Sequence, residues 1–182
     1  VLAQTSDPSA PFELEYIVVD GGSTDGSLEL LAPYRDRIAT LISETDNGLY
    51  DAMNKGIKAA TGDVVAILNA DDVYASTDVL ARVAATFHES EADAVYGDLN
   101  YVAANDLSQV TRRWHAGVYT PGAFRRGWMP PHPALFVRRT CYDRWGLFSM
   151  ALRSAADYEL LLRFIHRHSM SLAYLPETLV LM

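Results

Sequence analysis

The chain has 182 residues, of which 49% are hydrophobic and 21% are charged, and its formal net charge is −8. A chain of this length is expected to form one domain with a substantial core. The negative charge argues against a general nucleic-acid binder, which needs a basic face, and no apolar run reaches the roughly 18–20 residues that span a bilayer. The single cysteine, Cys141, excludes an internal disulfide framework and fits a reducing compartment.

The first half of the chain alternates short apolar runs with amphipathic segments. The predicted strands cover residues 15–20, 38–43 and 63–68, and the predicted helices cover residues 23–34, 49–60 and 78–88. The strands are rich in β-branched residues, and the helices carry apolar residues at three- and four-residue spacing. This alternation of strand and helix is typical of an α/β fold with a parallel sheet.

Acidic side chains follow two of the predicted strands. Asp20 ends the run "EYIVVD", and Asp71 and Asp72 come directly after the apolar run in "AILNADD". Because the carboxyl ends of parallel strands meet at one edge of a sheet, these acids are expected to lie close together. Asp and Asn also favour solvated turns, so this stretch alone is compatible with either a turn or a divalent-cation site.

The second half of the chain has a different pattern. Two strands, at residues 94–102 and 109–114, are joined by the polar loop "AANDLS" and are expected to form an antiparallel hairpin. Residues 115–133 are rich in Gly, Pro and aromatic residues and have no periodicity, and loops of that length are usually functional or mobile. Beyond the loop, strands are predicted at residues 134–138 and 172–181 and helices at residues 140–145 and 157–168.

Two further candidate residues lie in this second half. Ser154 and Asp157 have the spacing of a capping box, in which the helix dipole stabilises the acid whether or not it has a catalytic role. His132 lies between two prolines just before a predicted strand. A lone histidine is more often structural, although neutral imidazole is also a common metal ligand.

Five stretches, taken in order, resemble the family 2 glycosyltransferases of the GT-A fold. They are "EYIVVDGGSTDGS", "SETDNGLYDAMNKGIKAATGDVVAILNADD", "VYGD", "HPALFVRR" and "AADYELLLR". The resemblance covers nearly the whole chain and is closest to bacterial members that act in exopolysaccharide or O-antigen assembly. It implies a Rossmann-like three-layer sandwich, with a mostly parallel central sheet and a small antiparallel element. It also implies a single glycosyltransferase domain over residues 1–182 that lacks the family's first strand and ends where family members often continue into further helices.

By this resemblance, the nucleotide-sugar donor lies over the carboxyl ends of the strands. Asp20 corresponds to the acid that contacts the nucleobase. The stretch "NADD" corresponds to the metal motif, with Asn69 in the place of its first acid. The resemblance therefore implies that Asp71 binds the nucleotide sugar and that Asp71 and Asp72 hold Mg²⁺ or Mn²⁺. Asp157 corresponds to the general base.

Five positions are secondary candidates. Gly21 would let the backbone approach the nucleotide, because it has no side chain. Asp46 and Asn54 lie in or near the segment that lines the donor cleft in the family, so they are candidates for nucleotide-sugar binding, as is Asn69 through a ribose hydroxyl. His132 is the candidate on the acceptor side.

The implied reaction moves a sugar from a UDP- or GDP-type donor to a hydroxyl of a saccharide or lipid-linked acceptor, with inversion, in cell-surface polysaccharide synthesis. The resemblance implies a cytoplasmic enzyme, and a lipid-linked acceptor would be compatible with a peripheral position at the inner face of the membrane. One alternative is a non-catalytic, truncated remnant with weak or no nucleotide binding. Another is a nucleotidyltransferase, which would need a Gly-rich, basic nucleotide loop that the sequence does not contain.

Overall fold

The computed structural model describes residues 1–182 as an α/β structure. The strands are β1 (Ile17–Asp20), β2 (Thr40–Ser43), β3 (Val64–Ala66), β4 (Val73–Tyr74), β5 (Ala94–Ala103), β6 (Asp106–Trp114), β7 (Leu135–Arg138) and β8 (Leu172–Leu181). The α-helices are α1 (Ser27–Leu31), α2 (Leu49–Ala59), α3 (Val79–Glu89), α4 (Arg139–Trp145) and α5 (Ala156–Leu161). Residues Ala32–Arg37 continue α1 as a 3₁₀ helix, Leu162–Arg167 continue α5 as a π-helix, and two more 3₁₀ turns cover Ala123–Arg126 and His132–Ala134.

The strands form two sheets. β1 and β2 pair in parallel as a two-stranded sheet, and the other six form a mixed sheet in the order β3-β7-β5-β8-β4, with β6 paired to β5. Within the larger sheet, only β5 and β8 pair in parallel. The predicted α/β class is therefore correct, but the larger sheet is not mostly parallel. Parallel neighbours need a crossover to the other end of the sheet, whereas β6 turns back directly after β5.

Helices cover both faces of the six-stranded sheet. On one face, α2, α4 and α5 contribute residues such as Met53 and Leu160 to a large apolar cluster. On the other face, α3 contributes Val79 to a smaller cluster. β5 contributes to both, with Tyr96 in the first cluster and Val95 in the second, because successive side chains of a strand point to opposite faces. The three-layer arrangement is as predicted.

The first predicted helix differs most from the structure. Only Ser27–Leu31 is α-helical, and none of its residues is buried. Pro33 lies at the start of the 3₁₀ segment that follows, which has no buried residues either. Packing of an apolar face usually supplies most of a helix's stability, and this segment has no such face. The other predicted elements agree with the structure to within about three residues at each end, and none of the helices is both long enough and apolar enough to cross a membrane.

Candidate active site

The pairing of β3 with β7 brings the acidic motif and His132 to the same edge of the sheet. Val64 lies opposite Arg138 and Ala66 lies opposite Phe136, so the two strands run in opposite directions. The carboxyl end of β3, which leads into the "NADD" turn, is therefore at the edge where β7 begins. Since His132 lies in the 3₁₀ turn directly before β7, the two predicted site segments are neighbours.

Asp20 is fixed at the end of β1 by hydrogen bonds. Its Oδ2 accepts from the backbone N–H groups of Gly22 and Ser23, both at 3.1 Å, and from the hydroxyl of Ser43 at 2.8 Å. Hydrogen bonding by Ser23 and Ser43 lowers the pKa of Asp20 to about 2. The carboxylate is therefore ionised at neutral pH, and its orientation is set by the chain around it.

Gly21 and Asp46 are in direct contact beside Asp20. A Cβ atom at Gly21 would lie 2.5 Å from Oδ2 of Asp46, so a larger residue there would displace the Asp46 side chain. Oδ1 of Asp46 accepts a hydrogen bond of 2.8 Å from the N–H of Gly48, the residue that precedes α2. Three residues predicted to bind the nucleotide sugar thus form one group at the ends of β1 and β2.

The "NADD" turn contains a buried carboxylate with an unpaired oxygen. Asn69 Nδ2 donates to Asp72 Oδ2 at 3.0 Å, and the N–H of Asp72 donates to the carbonyl of Asn69 at 3.1 Å. Asp72 is only 4% exposed, and its Oδ1 has no hydrogen-bond partner. Burial raises the pKa of Asp72, the hydrogen bond from Asn69 opposes this rise, and the charge of the exposed Asp71 adds to it. A buried polar atom without a partner is costly.

The two acids fit a cation that is shared with a phosphate-bearing ligand. The structure has no group of three or more His, Cys, Asp or Glu side chains that could hold a metal ion, so a cage made by the protein alone is absent. Mg²⁺ is usually bound through one or two carboxylates, with phosphate and water completing its shell. Asp71 and Asp72 supply two carboxylates of this kind, and the unpaired Oδ1 of Asp72 is the atom that a cation would satisfy.

Asp157 lies near two aromatic residues and His132. Its Oδ1 accepts a hydrogen bond of 3.1 Å from the hydroxyl of Tyr50, and the Tyr50 ring stacks on Phe148 at 5.5 Å between centroids. The His132 ring packs edge-on against Phe148 at 5.3 Å. Burial lowers the pKa of His132 to about 4, although the charge of Asp157 opposes this shift. His132 is therefore neutral at neutral pH and close enough to Asp157 to feel its charge.

The predicted capping box at the start of α5 is wrong. The residue that precedes the helix is Ala155, with a left-handed φ of 60°, and no side chain caps the helix. Ser154 therefore lies outside the helix end, and the Asp157 carboxylate is free for its contact with Tyr50. A left-handed non-glycine residue is strained and is often found at functional sites.

The prediction that Asn54 binds the nucleotide sugar is also contradicted by the structure. Its buried side-chain amide pairs with both backbone groups of Phe148, donating to the carbonyl at 3.0 Å and accepting from the N–H at 2.9 Å. Asn54 is buried on α2, and both ends of its amide are already hydrogen-bonded within the protein, so neither is free for a bound nucleotide sugar. Its role is to hold Phe148 against Tyr50 and His132.

Asp98, which was not among the sequence candidates, anchors the long loop. This buried carboxylate accepts hydrogen bonds from Nδ1 of His115 at 2.8 Å, the N–H of Ala116 at 2.9 Å and the hydroxyl of Tyr174 at 2.7 Å. Its partners are distant in the sequence, so only the motif "VYGD" pointed to it. Asp98 therefore fixes the start of the loop whose other end carries His132.

The long loop, residues 115–133, is also held by aromatic contacts. Nε1 of Trp128 donates to the carbonyl of Ala116 at 2.7 Å. Phe124 packs edge-on against Trp128 at 5.5 Å and against Tyr158 at 5.9 Å. Because Tyr158 follows Asp157 in α5, the loop packs against the helix that carries Asp157.

Comparison with known proteins identifies relatives of this chain. The family model described as glycosyl transferase family 2 matches residues 1–158. A PGL/p-HBAD biosynthesis glycosyltransferase of Mycobacterium bovis is 36% identical over 157 residues, which cover 83% of this chain and 58% of the relative. The chain thus spans somewhat more than half the length of the curated relative that it matches.

Solved structures with the same fold carry nucleotide sugars. S. aureus TarS 1-349 in complex with UDP-GlcNAc has a TM-score of 0.73 and 20% identity, covering 100% of this chain and 52% of that chain. The mannosyltransferase PcManGT from Pyrobaculum calidifontis, in complex with GDP-Man and Mn²⁺, has a TM-score of 0.62 and 20% identity, covering 93% of this chain and 47% of that chain. At this level of identity, the likeness concerns the fold.

Proposed function

The chain belongs to glycosyl transferase family 2 and has the GT-A fold, and from this premise we propose that it transfers a sugar from a nucleoside diphosphate to an acceptor hydroxyl. The observation that carries the proposal is the β3–β7 pairing, which puts a buried, unpaired carboxylate oxygen of Asp72 at the same sheet edge as His132 and its neighbour Asp157. Such an edge can hold a charged leaving group and a proton acceptor together.

The donor proposed is a UDP- or GDP-type nucleotide sugar. Its support is that the two similar solved chains hold UDP-GlcNAc and GDP-Man. Asp20 would accept a hydrogen bond from the nucleobase, because its weakly engaged Oδ1 has room for another donor. Gly21 and Asp46, which contact each other at the ends of β1 and β2, would line the same nucleoside pocket.

The proposed cofactor is Mg²⁺ or Mn²⁺, held by Asp71 and Asp72. When bound, such an ion supplies Lewis-acid stabilisation of the charge on the departing diphosphate. Asn69 would hold Asp72 in place through its hydrogen bond, so that Asp72 Oδ1 is directed toward the cation. The complex of PcManGT with Mn²⁺ supports the choice of ion.

Asp157 is the proposed general base. As the acceptor oxygen attacks the anomeric carbon, Asp157 takes the hydroxyl proton and the bond from that carbon to the diphosphate oxygen breaks. A single displacement of this kind inverts the anomeric carbon and needs no covalent sugar–enzyme intermediate. His132, which is neutral at neutral pH, would offer the acceptor a hydrogen bond without competing with Asp157 for the proton.

Sugar-transfer assays with UDP- and GDP-sugars test this function. Asp157→Asn is expected to lower kcat by at least about 100-fold while nucleotide binding, measured by calorimetry, is unchanged. Asp71→Ala is expected to remove the Mn²⁺-dependent part of nucleotide binding. Asp143→Asn, an exposed change on α4 with only an Arg139 ion pair, is the control and should behave as wild type. If no nucleotide binds with either cation, the chain is a non-catalytic remnant.

We propose further that the enzyme works in the cytoplasm, at the inner face of the membrane, on a saccharide or lipid-linked acceptor in exopolysaccharide or O-antigen synthesis. The membrane contact is supported by an uneven distribution of charge along the sequence. Residues 107–142 contain six arginines and neither Asp nor Glu, in a chain with net charge −8. Arg112, Arg113, Arg125 and Arg126 are all exposed, and each arginine near an anionic lipid surface is attracted to it.

Co-sedimentation with phosphatidylglycerol vesicles tests the membrane contact. The double variant Arg125→Gln/Arg126→Gln is expected to bind roughly thirtyfold less tightly, at about 1 kcal/mol for each arginine. Arg35→Gln/Arg37→Gln changes the net charge equally but lies outside the acid-free segment, and it should bind as wild type does. Equal losses in both double variants, or no binding by the wild type, would refute the membrane proposal.

A further inference from the structure

We propose that Tyr50 is a positioning residue for Asp157. The hydroxyl of Tyr50 holds one carboxylate oxygen of Asp157, so that the other oxygen faces the acceptor. The inference rests on the proposed function and adds to it a residue from a helix that the sequence linked only to the donor side. Tyr50 would act through Asp157 and would not touch the reacting atoms.

The geometry of the contact carries this proposal. The hydroxyl of Tyr50 donates to Oδ1 of Asp157 at 3.1 Å, although the two residues are 107 positions apart in the chain. Oδ2 of Asp157 has no hydrogen-bond partner in the protein and is left to accept a proton. The α5 helix has no side-chain cap, so capping does not orient the carboxylate, and Tyr50 is the protein group that does so.

The ring of Tyr50 is itself held in place. It stacks on Phe148 with an interplanar angle of 22°, and Phe148 is fixed at both backbone groups by Asn54. Tyr50 and Asn54 lie four residues apart on α2, where residues at that spacing share a face. The helix α2 thus supplies both the hydrogen bond from Tyr50 to Asp157 and the hydrogen bonds from Asn54 that fix Phe148.

A second set of contacts ties Phe148 to the helix that carries Asp157. Arg163, in the π-helical continuation of α5, donates to the carbonyl of Leu147 at 2.7 Å and also to the carbonyl of Trp145. It is held by Glu159, with Nε to Oε1 at 2.8 Å. The segment before Phe148 is therefore attached to α5, and the positions of Tyr50 and Asp157 are set by one connected frame.

The hydroxyl of Tyr50 acts in this frame as a neutral donor. Burial raises the pKa of Tyr50, and the charge of Asp157 and the hydrogen bond to it raise it further. The phenol therefore keeps its proton at the pH of the assay. A donor of this kind orients a carboxylate but does not itself remove the acceptor's proton.

Tyr50→Phe tests the proposal, since it keeps the ring and its stacking and removes only the hydroxyl. We expect kcat to fall about tenfold to a hundredfold, with the KM for the donor and the midpoint of thermal unfolding unchanged. The matched control is Tyr142→Phe, a buried tyrosine on α4 that packs against Phe164, and its kcat should be that of wild type.

The double variant Tyr50→Phe/Asp157→Asn separates this inference from the function beneath it. We expect the double variant to be no slower than Asp157→Asn alone, because Tyr50 acts only through Asp157. An unchanged kcat in Tyr50→Phe, or a raised donor KM with kcat unchanged, would overturn the positioning role while leaving the glycosyltransferase intact. Full activity in Asp157→Asn would instead overturn the assignment of the base.

Discussion

The buried imidazole of His132 makes the stability of this protein depend on pH. Burial lowers the pKa of His132 in the folded state from 6.5 to about 4, whereas in the unfolded chain it is expected to titrate near about 6.5. Between these values the unfolded state binds more protons than the folded state, so the contribution is complete above pH 6.5 and is lost as the pH falls towards 4. The difference of about 2.5 units, at 1.36 kcal/mol for each unit, corresponds to about 3 kcal/mol.

Urea unfolding at several pH values between 7 and 4.5, followed by tryptophan fluorescence, measures this loss. We expect the free energy of unfolding of the wild type to fall by about 2 kcal/mol or more over this range, and that of His132→Gln to fall by much less. His88→Gln, which changes an exposed histidine on α3, should follow the wild type. Acids such as Asp20 lose their contribution to stability only below about pH 4. Asp72 is present in the wild type and in both variants, so its titration does not affect the comparison.

The result that would refute this reasoning is a parallel fall for the wild type and His132→Gln. Parallel curves would mean that His132 is protonated in the folded protein or is reached by water. The comparison uses slopes with pH, so a constant loss of stability caused by the glutamine at pH 7 does not affect it. The proposed role of His132 as a neutral partner of the acceptor depends on the same outcome.

Three other substitutions have defined expected outcomes. Gly97→Ala should lower the free energy of unfolding, measured in urea, by about 3 kcal/mol or more. The reason is that a Cβ there would lie 2.5 Å from Cγ of Leu179 and 2.9 Å from the carbonyl of Glu177. Gly62→Ala, whose Cβ would have its nearest contact at 3.6 Å, is the control. Asp98→Ala should cost about 3 kcal/mol and speed hydrogen exchange in residues 115–133. Gly21→Ala should displace Asp46 and weaken UDP binding about tenfold by calorimetry, with stability unchanged.

Local patterns in the sequence predicted most of the elements. β8 was predicted with its observed ends, and the inward residues of α5 and its π-helical continuation, including Leu160 and Phe164, are all buried. These predictions succeed because alternation and helical spacing depend only on neighbouring residues. The direction of β7 could not be predicted in this way, because it depends on how the loop before it returns to the sheet.

The site shows the same division between local and distant information. The acidic motif was recognisable from "NADD", but the unpaired oxygen of Asp72 appears only when the turn is folded. Asn54 was predicted to bind the nucleotide sugar because the resemblance places its segment along the donor cleft, and its actual partner, Phe148, is 94 residues away. Residues whose partners are that distant give no signal in the spacing of the sequence.

The helix α2 connects the two halves of the proposed reaction. Its start is attached to the nucleoside side through the contact of Asp46 with Gly48. Its first turn holds Asp157 through Tyr50, and Gly56 near its end lies close to β1, where a Cβ would be 3.4 Å from Val19. A shift of α2 would therefore change donor binding and proton acceptance together.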